Sequence, residues 1–233
     1  MKRFYKIADV DPVIDGGYQI VLDDKPIRTP AGNPLVVSGL NLAVAIAGEW
    51  SAQGEEIDTA GMPFMRLAAT AIDRVTGRRY AIVDELVRYG ESDLLCYRAE
   101  APAELVRRQD ELWQPLLDWA AHRYKAPLLV TTGVTPVTQP SVALRNLRKA
   151  LEEFDDMALS GLHSAASDCG SLILGLALAE GFIEAEHAFE LSQLDESYQI
   201  EQWGEDSEAS KRRSSLRDDI IADQRFLSLC RQG

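Results

Sequence analysis

The chain has 233 residues, 46% of them hydrophobic and 26% charged, and this composition excludes intrinsic disorder and collagen-like repeats. Its 37 acidic side chains outnumber the 24 basic ones by 13, and such a surface repels nucleic acid phosphates and anionic lipid headgroups. The three cysteines, Cys96, Cys169 and Cys230, lie far apart and form no Cys-x-x-Cys pair, which argues against a disulfide scaffold, a zinc finger and a redox pair.

A small β-meander is predicted at the amino end, because apolar residues alternate with polar ones there. Its strands are expected at Phe4 to Val10, Gly17 to Leu22, Pro26 to Thr29 and Leu35 to Val37. Ser38 is a candidate cap for a following helix, in which Leu42, Ile46 and Trp50 recur at helical spacing. These segments are expected to form a small β-rich domain over residues 1–60, with the helix covering one face of the sheet.

A larger all-helical domain is predicted over residues 61–233, so the expected fold class is α+β. Apolar stripes at helical spacing place its first helices at Pro63 to Gly77, at Tyr80 to Tyr89 and from Leu105 onward. Pro115 is expected to kink the third of these helices or to end it early. The segment from Lys125 to Pro140 contains three prolines and is interpreted as an extended connection.

The remainder of the chain, from Ser141, is predicted to be helical. Its later helices are expected at Met157 to Ala179 as one or two, at Glu184 to Trp203 as one, and in a last helix ending near Cys230. Gly161, Gly170 and Gly175 are expected to let neighbouring backbones approach closely. The longest uncharged apolar stretch, Cys169 to Ala179, is shorter than the ~20 residues that span a bilayer, so no membrane insertion is expected.

The acidic excess is concentrated in one part of the chain. Residues 150–210 contain 15 acidic side chains and no lysine or arginine, and the basic cluster Lys211-Arg212-Arg213 follows directly. One interpretation is a solvated face that keeps the protein soluble. The other is a docking surface that speeds the encounter with a basic partner.

Motifs for nucleotide and metal chemistry are missing from the sequence. Neither a phosphate-binding loop nor a dinucleotide fingerprint is present, and the histidines show no ligand spacing, so we expect no nucleotide, cofactor or metal. His163, Ser167 and Asp168 suggest a catalytic triad, but Asp168 lies off the helical face that His163 and Ser167 share. We interpret His163 and Asp168 as polar groups satisfied within helix packing.

Carboxylates, amides and aromatic rings cluster near the end of the predicted helix at Glu184 to Trp203. The cluster comprises Asp195, Glu196, Tyr198, Gln199, Glu201 and Trp203. A glycosidase-like acid and base would need carboxylates on opposite sides of a bond, which one helix does not provide. A recognition helix is a second interpretation, because Glu196, Gln199 and Trp203 form one stripe. In the third, Trp203 and Tyr198 belong to the core.

Several segments together resemble one protein family. They are Met62-Pro63, Ala69-Thr70-Ala71-Ile72-Asp73, the run from Ser92 to Ala99, Gln109 with Trp113, Pro115 and Trp119, and the run from Tyr198 to Gly204. In this order and spacing they resemble the ATP-twelve-type chaperones, which bind the alpha subunit of the catalytic sector of F-type ATP synthase. The resemblance covers nearly the whole chain.

The resemblance implies a β-rich domain followed by a helical domain, and it implies no catalysis. It also implies an essential glutamate just before the Tyr-Gln pair of the late helix, which is Glu196 here. Mitochondrial members carry a presequence, and the amino end here shows no such pattern or secretory signal. We therefore expect a bacterial member that acts in the cytoplasm, with relatives in the mitochondrial matrix.

The function that follows is transient binding of the free alpha subunit, which shields the surface later buried by the beta subunit. The residues expected to bind this partner are Glu196, Gln199, Trp203, Asp195 and Glu201. Two alternatives remain at this point: an acidic binding module for another basic protein, and a carboxylate-dependent hydrolase that uses Glu196.

Overall fold

The computed structural model describes residues 1–14, 16–204 and 206–232. The strands are β1 Ala8–Pro12, β2 Tyr18–Leu22, β3 Lys25–Pro26, β4 Val36–Val37, β5 Tyr97–Arg98 and β6 Thr131–Thr132. The helices are α1 Leu40–Ser51, α2 Pro63–Thr70, α3 Arg79–Glu91, α4 Ala103–Tyr124, α5 Ser141–Leu151, α6 Asp156–Cys169, α7 Leu172–Glu180, α8 Ala185–Ser192, α9 Leu194–Trp203 and α10 Ser207–Arg231. Strands near the amino end followed by helices confirm the predicted α+β class.

The amino-terminal sheet is built around β2. Strand β1 pairs with it antiparallel along its whole length, from Ala8 opposite Leu22 to Pro12 opposite Tyr18, and β3 and β4 pair with its other side. Gly17 has a φ of +86°, and an added Cβ there would lie 2.8 Å from the carbonyl oxygen of Val37. Only glycine fits this turn without strain.

The chain divides into two compact units. The first comprises Met1–Arg79, Asp155–Gly161 and Arg225–Gly233, and the second comprises Tyr80–Phe154 and Leu162–Gln224. Helices α6 and α10 therefore each contribute residues to both units. The predicted domain boundary after residue 60 divides the chain differently and stays a prediction.

The first unit contains the sheet and a small core beneath it. Tyr5, Leu22, Ile57 and Met62 are buried together, and Trp50 packs against them. The Tyr5 hydroxyl donates a hydrogen bond to the Trp50 carbonyl at 2.6 Å. In the described segments of this unit, Trp50 thus packs against the same core as the strand residue Leu22 and Met65 of α2. Burial of these apolar side chains provides most of the local stability.

The second unit is centred on α7, whose residues from Leu172 to Ala179 are all buried. Close packing depends on Gly175, because a Cβ there would lie 3.1 Å from the backbone nitrogen of Ala166. The prediction for Gly170 was wrong: it has open space and a φ of +63°, so it serves a turn rather than a close approach. Trp113 is fully buried and its indole donates to the Leu191 carbonyl at 3.0 Å.

Several sequence predictions about element boundaries were wrong. The first strand begins at Ala8 rather than Phe4, and Ser38 caps nothing, because Gly39 occupies the cap position of α1. Helix α4 continues through Pro115 to Tyr124, so it does not end early, and a kink at Pro115 stays a prediction. Pro115 is exposed, so the carbonyl group that its ring deprives of a partner can reach water. None of the described helices combines the length and hydropathy needed to cross a bilayer.

Candidate functional site

Helix α9 carries all five residues predicted to bind a partner. The expected single helix is broken at Gln193, which has φ −106° and ψ 17°, so α8 and α9 are separate. Asp195 and Glu196 lie in the first turn of α9, where negative charge interacts favourably with the helix dipole. Gly204, with a φ of +84°, ends the helix.

Asp195 attaches α9 to α4 through a buried amide. Its Oδ1 accepts a hydrogen bond from Gln109 Nε2 at 2.7 Å, and Gln109 is fully buried. Gln109 Oε1 in turn accepts from the backbone N–H of Ala99 at 2.7 Å. Both polar ends of a buried amide are thereby satisfied. Asp195 contributes to the position of α9.

Glu201 and Tyr198 meet a second residue of α4. Arg108 Nη1 donates to both carboxylate oxygens of Glu201, at 2.9 and 2.8 Å, and Arg108 Nε donates to Glu104 at 2.9 Å. The Arg108 guanidinium lies 5.4 Å from the centre of the Tyr198 ring. Tyr198 is half-buried against this cation, and the arginine joins two acidic side chains across the two helices.

Glu196 faces α10. Arg212 Nη2 approaches its Oε1 at 2.5 Å, and Arg213 Nη1 lies 3.9 Å from its Oε2. Arg213 also donates to Ser197 Oγ at 3.0 Å and lies over the Phe189 ring. The Glu196 side chain is 28% exposed, so solvent reaches a carboxylate that is already paired.

Gln199 and Trp203 lie on the outer side of α9. Gln199 is exposed, and Trp203 is 79% exposed at the carboxyl end of the helix. The interpretation that placed Trp203 in the core is therefore wrong. An indole this exposed is unusual, because aromatic side chains of this size are mostly buried on average. We call Glu196, Gln199 and Trp203 the α9 stripe. It presents a carboxylate paired with arginine, an amide and an exposed aromatic ring.

Three comparisons relate the chain to known proteins. A family model described as ATP12 chaperone protein matches residues 2–121, more than half of the chain. The chain belongs to the ATP12 chaperone family. The crystal structure of Atp12 from Paracoccus denitrificans is 43% identical, with a TM-score of 0.93 over 98% of each chain. A mutant of P. denitrificans Atp12p is 42% identical, also with a TM-score of 0.93, over 98% of this chain and 97% of that one.

The comparisons extend to a eukaryotic relative. The mitochondrial protein atp12 of Schizosaccharomyces pombe is 24% identical over 241 residues, which cover 98% of this chain and 82% of that protein. As an ATP12 family member the chain is a chaperone for ATP synthase assembly, as the sequence resemblance implied. Family membership agrees with the expectation that the chain is no enzyme, which stays a prediction.

In this ATP12 family member the acidic stretch is less one-sided than its sequence suggests. Arginines from other segments reach several of its carboxylates: Arg123 contacts Glu180 at 2.8 Å, Arg217 contacts Glu186 at 2.7 Å, and Arg108 and Arg212 contact Glu201 and Glu196. Ion pairs at such exposed positions lower the local field without removing it. The negative surface available to a partner is therefore smaller than a count along the chain predicts.

Two residues of the suggested triad, His163 and Asp168, have separate partners. His163 Nε2 lies 3.2 Å from Glu85 Oε2 in an open groove of about 360 Å³, lined also by Arg88, Tyr89 and Ser92. Asp168 interacts instead with Asp223, and burial raises the pKa of Asp223 well above its ordinary value. Among the described residues no group of three or more metal-ligating side chains occurs.

The cysteines are poor candidates for thiol chemistry. Burial raises the pKa of Cys96 and of Cys230 to about 12, and it raises the pKa of Cys169 as well. A thiol with so high a pKa contains almost no thiolate at neutral pH, and thiolate is the reactive form.

Sequence reasoning missed the arginines that surround α9. Arg108 precedes Glu201 by 93 residues, and no spacing rule connects them. Arg212 and Arg213 belong to the basic cluster that follows the acidic stretch, but their pairing with Glu196 depends on how α10 packs against α9. A signal was present nevertheless, since the cluster is the first positive charge after 61 residues without one.

Proposed function

We propose that this chaperone binds the free alpha subunit of the catalytic sector of F-type ATP synthase through the α9 stripe. The observation that carries the proposal is the exposure of Trp203, 79% at the end of a stripe that begins with Glu196. Exposed aromatic rings beside selective polar groups are typical of the anchor residues of protein interfaces. Family membership supports the same class of client.

The alpha subunit needs such a partner before assembly. An isolated subunit exposes an apolar surface that belongs against the neighbouring beta subunit, and exposed apolar patches drive aggregation. In the proposal the chaperone covers this surface for a time. The final subunit contact is larger and more apolar than a contact through one helix, so beta replaces the chaperone without ATP hydrolysis.

The five residues have different roles in this proposal. Trp203 supplies contact area, Gln199 supplies an adaptable hydrogen-bonding group, and Glu196 pairs with a basic or amide group of the client. Asp195 and Glu201 flank this set, and their contacts with α4 hold the helix in position. An interface of this kind needs a small central anchor and a polar rim.

The direct test replaces Trp203 and uses Tyr80 as its matched control. Both side chains are 79% exposed and both are large aromatics on helices of the second unit. Binding of purified alpha subunit is measured by titration with wild type, Trp203→Ala and Tyr80→Ala. We expect Trp203→Ala to bind at least about tenfold more weakly and Tyr80→Ala to match wild type. Equal affinity of both variants would exclude Trp203 as an anchor.

The first alternative, an acidic binding module for another basic protein, differs from the proposal in the protein that would co-purify with the chain. Mass spectrometry after gentle purification of the chain identifies that partner, and recovery of another basic protein in place of alpha subunit would favour the module. The hydrolase alternative gains no support from the contacts, because Glu196, Asp195 and Glu201 each face an arginine or an amide of the same unit.

We place this activity in the cytoplasm of a bacterium. The support is the identity of 43% with a Paracoccus denitrificans protein, against 24% with the mitochondrial relative. The alpha subunit is synthesised and assembled in the same compartment in this proposal.

A further inference from the structure

We propose that Arg212 is an internal competitor for the client: it occupies the Glu196 carboxylate in the free chaperone and leaves it when an arginine side chain of the client arrives. This inference rests on the proposed function and concerns how the same site is controlled. It follows from the way two adjacent arginines of α10 contact one carboxylate of α9.

The two arginines differ in how firmly they are held. Arg213 is 15% exposed, contacts Ser197 Oγ and Gln193 Oε1, and lies over the Phe189 ring, so its guanidinium is part of the packing between helices. Arg212 is 69% exposed, and its Nη2 lies 2.5 Å from Glu196 Oε1 on the solvent side of the carboxylate. Arg213 therefore stays beside Glu196 as a fixed positive charge 3.9 Å from Oε2, whereas Arg212 is placed to exchange.

Replacing Arg212 by an arginine of the client costs little free energy. Exposed ion pairs contribute little to stability, so Arg212 is displaced at small cost. A guanidinium from the client then takes the same carboxylate oxygen, and no buried charge is left unpaired. The oxygen already accepts a guanidinium group in the free chain, which favours arginine over lysine as the arriving residue.

The chain provides a matched control on the same helix. Arg217 of α10 pairs with Glu186 at 2.7 Å, with side chains 50% and 53% exposed. Arg217→Gln and Arg212→Gln remove the same charge from α10, so both change the long-range attraction of a basic client equally. Only the second variant frees the carboxylate of the α9 stripe.

The experiment compares the affinity of purified alpha subunit for wild type and four variants. They are Arg212→Gln, Arg217→Gln, Glu196→Gln and the double variant Glu196→Gln with Arg212→Gln, each checked by its melting temperature. We expect Arg212→Gln to bind about threefold more tightly than Arg217→Gln, as loss of an exposed competing pair allows. In the Glu196→Gln background the Arg212 change should tighten binding no more than Arg217→Gln tightens it in wild type, because only the long-range charge effect remains.

The possible failures are distinguishable. Equal affinity of Arg212→Gln and Arg217→Gln, or weaker binding by Arg212→Gln, would overturn the competitor role while leaving alpha-subunit binding intact. Tightening in the Glu196→Gln background that exceeds the effect of Arg217→Gln would also overturn it, because the excess would not pass through the carboxylate. Absence of binding by wild type would overturn the proposed function itself, and this inference with it.

Discussion

Asp93 shows what a single residue of the family-like segment from Ser92 to Ala99 does. It is fully buried and accepts hydrogen bonds from the backbone N–H of Leu95 at 3.0 Å, from Ser171 Oγ at 2.7 Å and from the backbone N–H of Ile173 at 3.1 Å. The last two lie at the start of α7, so the carboxyl group ties the central helix of the second unit to the segment that follows α3. The role of Asp93 is structural.

Asp93 should make stability depend on pH. Burial raises its pKa from the ordinary 3.8 to about 6, although the hydrogen bonds oppose the rise. Between these values the folded chain holds a proton that the unfolded chain has lost, so the free energy of unfolding falls as the pH rises from 4 to 6. We expect the advantage of wild type over Asp93→Asn to shrink by about 2 kcal/mol from pH 4 to pH 7. Urea unfolding of both proteins across this pH range measures the difference. Free energies of unfolding that change with pH in the same way in wild type and Asp93→Asn would contradict the prediction.

At the scale of elements, α9 is held to its unit more by polar contacts than by buried apolar side chains. Of its ten residues Leu194 alone is buried, so the Gln109–Asp195 hydrogen bond and the Arg108–Glu201 pair are important for its position. Helices with few buried apolar contacts open locally before the whole fold does. The proposed interface therefore lies on an element whose order depends on its polar contacts with α4 and α10.

Removing the Gln109 amide should loosen α9. Gln109→Ala leaves the Ala99 N–H and the Asp195 carboxylate without their partner, which costs about 1–3 kcal/mol. We expect backbone amides of α9 to exchange hydrogen at least about tenfold faster in this variant, by mass spectrometry. Gln202→Ala, an exposed amide on α9 itself, is the control and should exchange as wild type does. Unchanged exchange in Gln109→Ala would refute the attachment.

Helices could be predicted from the sequence where apolar side chains repeat at helical spacing. Helix ends could not be predicted where local backbone conformation determines them. Apolar stripes correctly indicated the helices around Trp50, Leu147 and Leu227, because burial imposes a helical period on them. The break at Gln193 carries neither glycine nor proline, so no residue type announced it. Pro115 is a strong breaker in general, yet its exposed position lets α4 continue.

At the scale of the molecule, the candidate site was predictable in its composition but not in its electrostatics. The acidic stretch and the stripe of Glu196, Gln199 and Trp203 are local patterns, and a helix brings such residues to one face. Their arginine partners come from α4 and α10, and pairing between distant segments depends on packing that no local pattern contains. Because of these arginines, the variant Glu196→Lys would be a poor test of whether Glu196 contacts the client. The new lysine would be a third cation beside Arg212 and Arg213.

The central claim is that the outer side of α9 is where the client rests, and oxidative footprinting of the complex tests it most directly. Hydroxyl radicals modify exposed aromatic rings, and Trp203 and Tyr80 start from equal exposure. In a stoichiometric complex with alpha subunit, we expect the oxidation rate of Trp203 to fall strongly while that of Tyr80 is unchanged. An oxidation rate at Trp203 that stays the same in the complex and in the free chain would contradict the account.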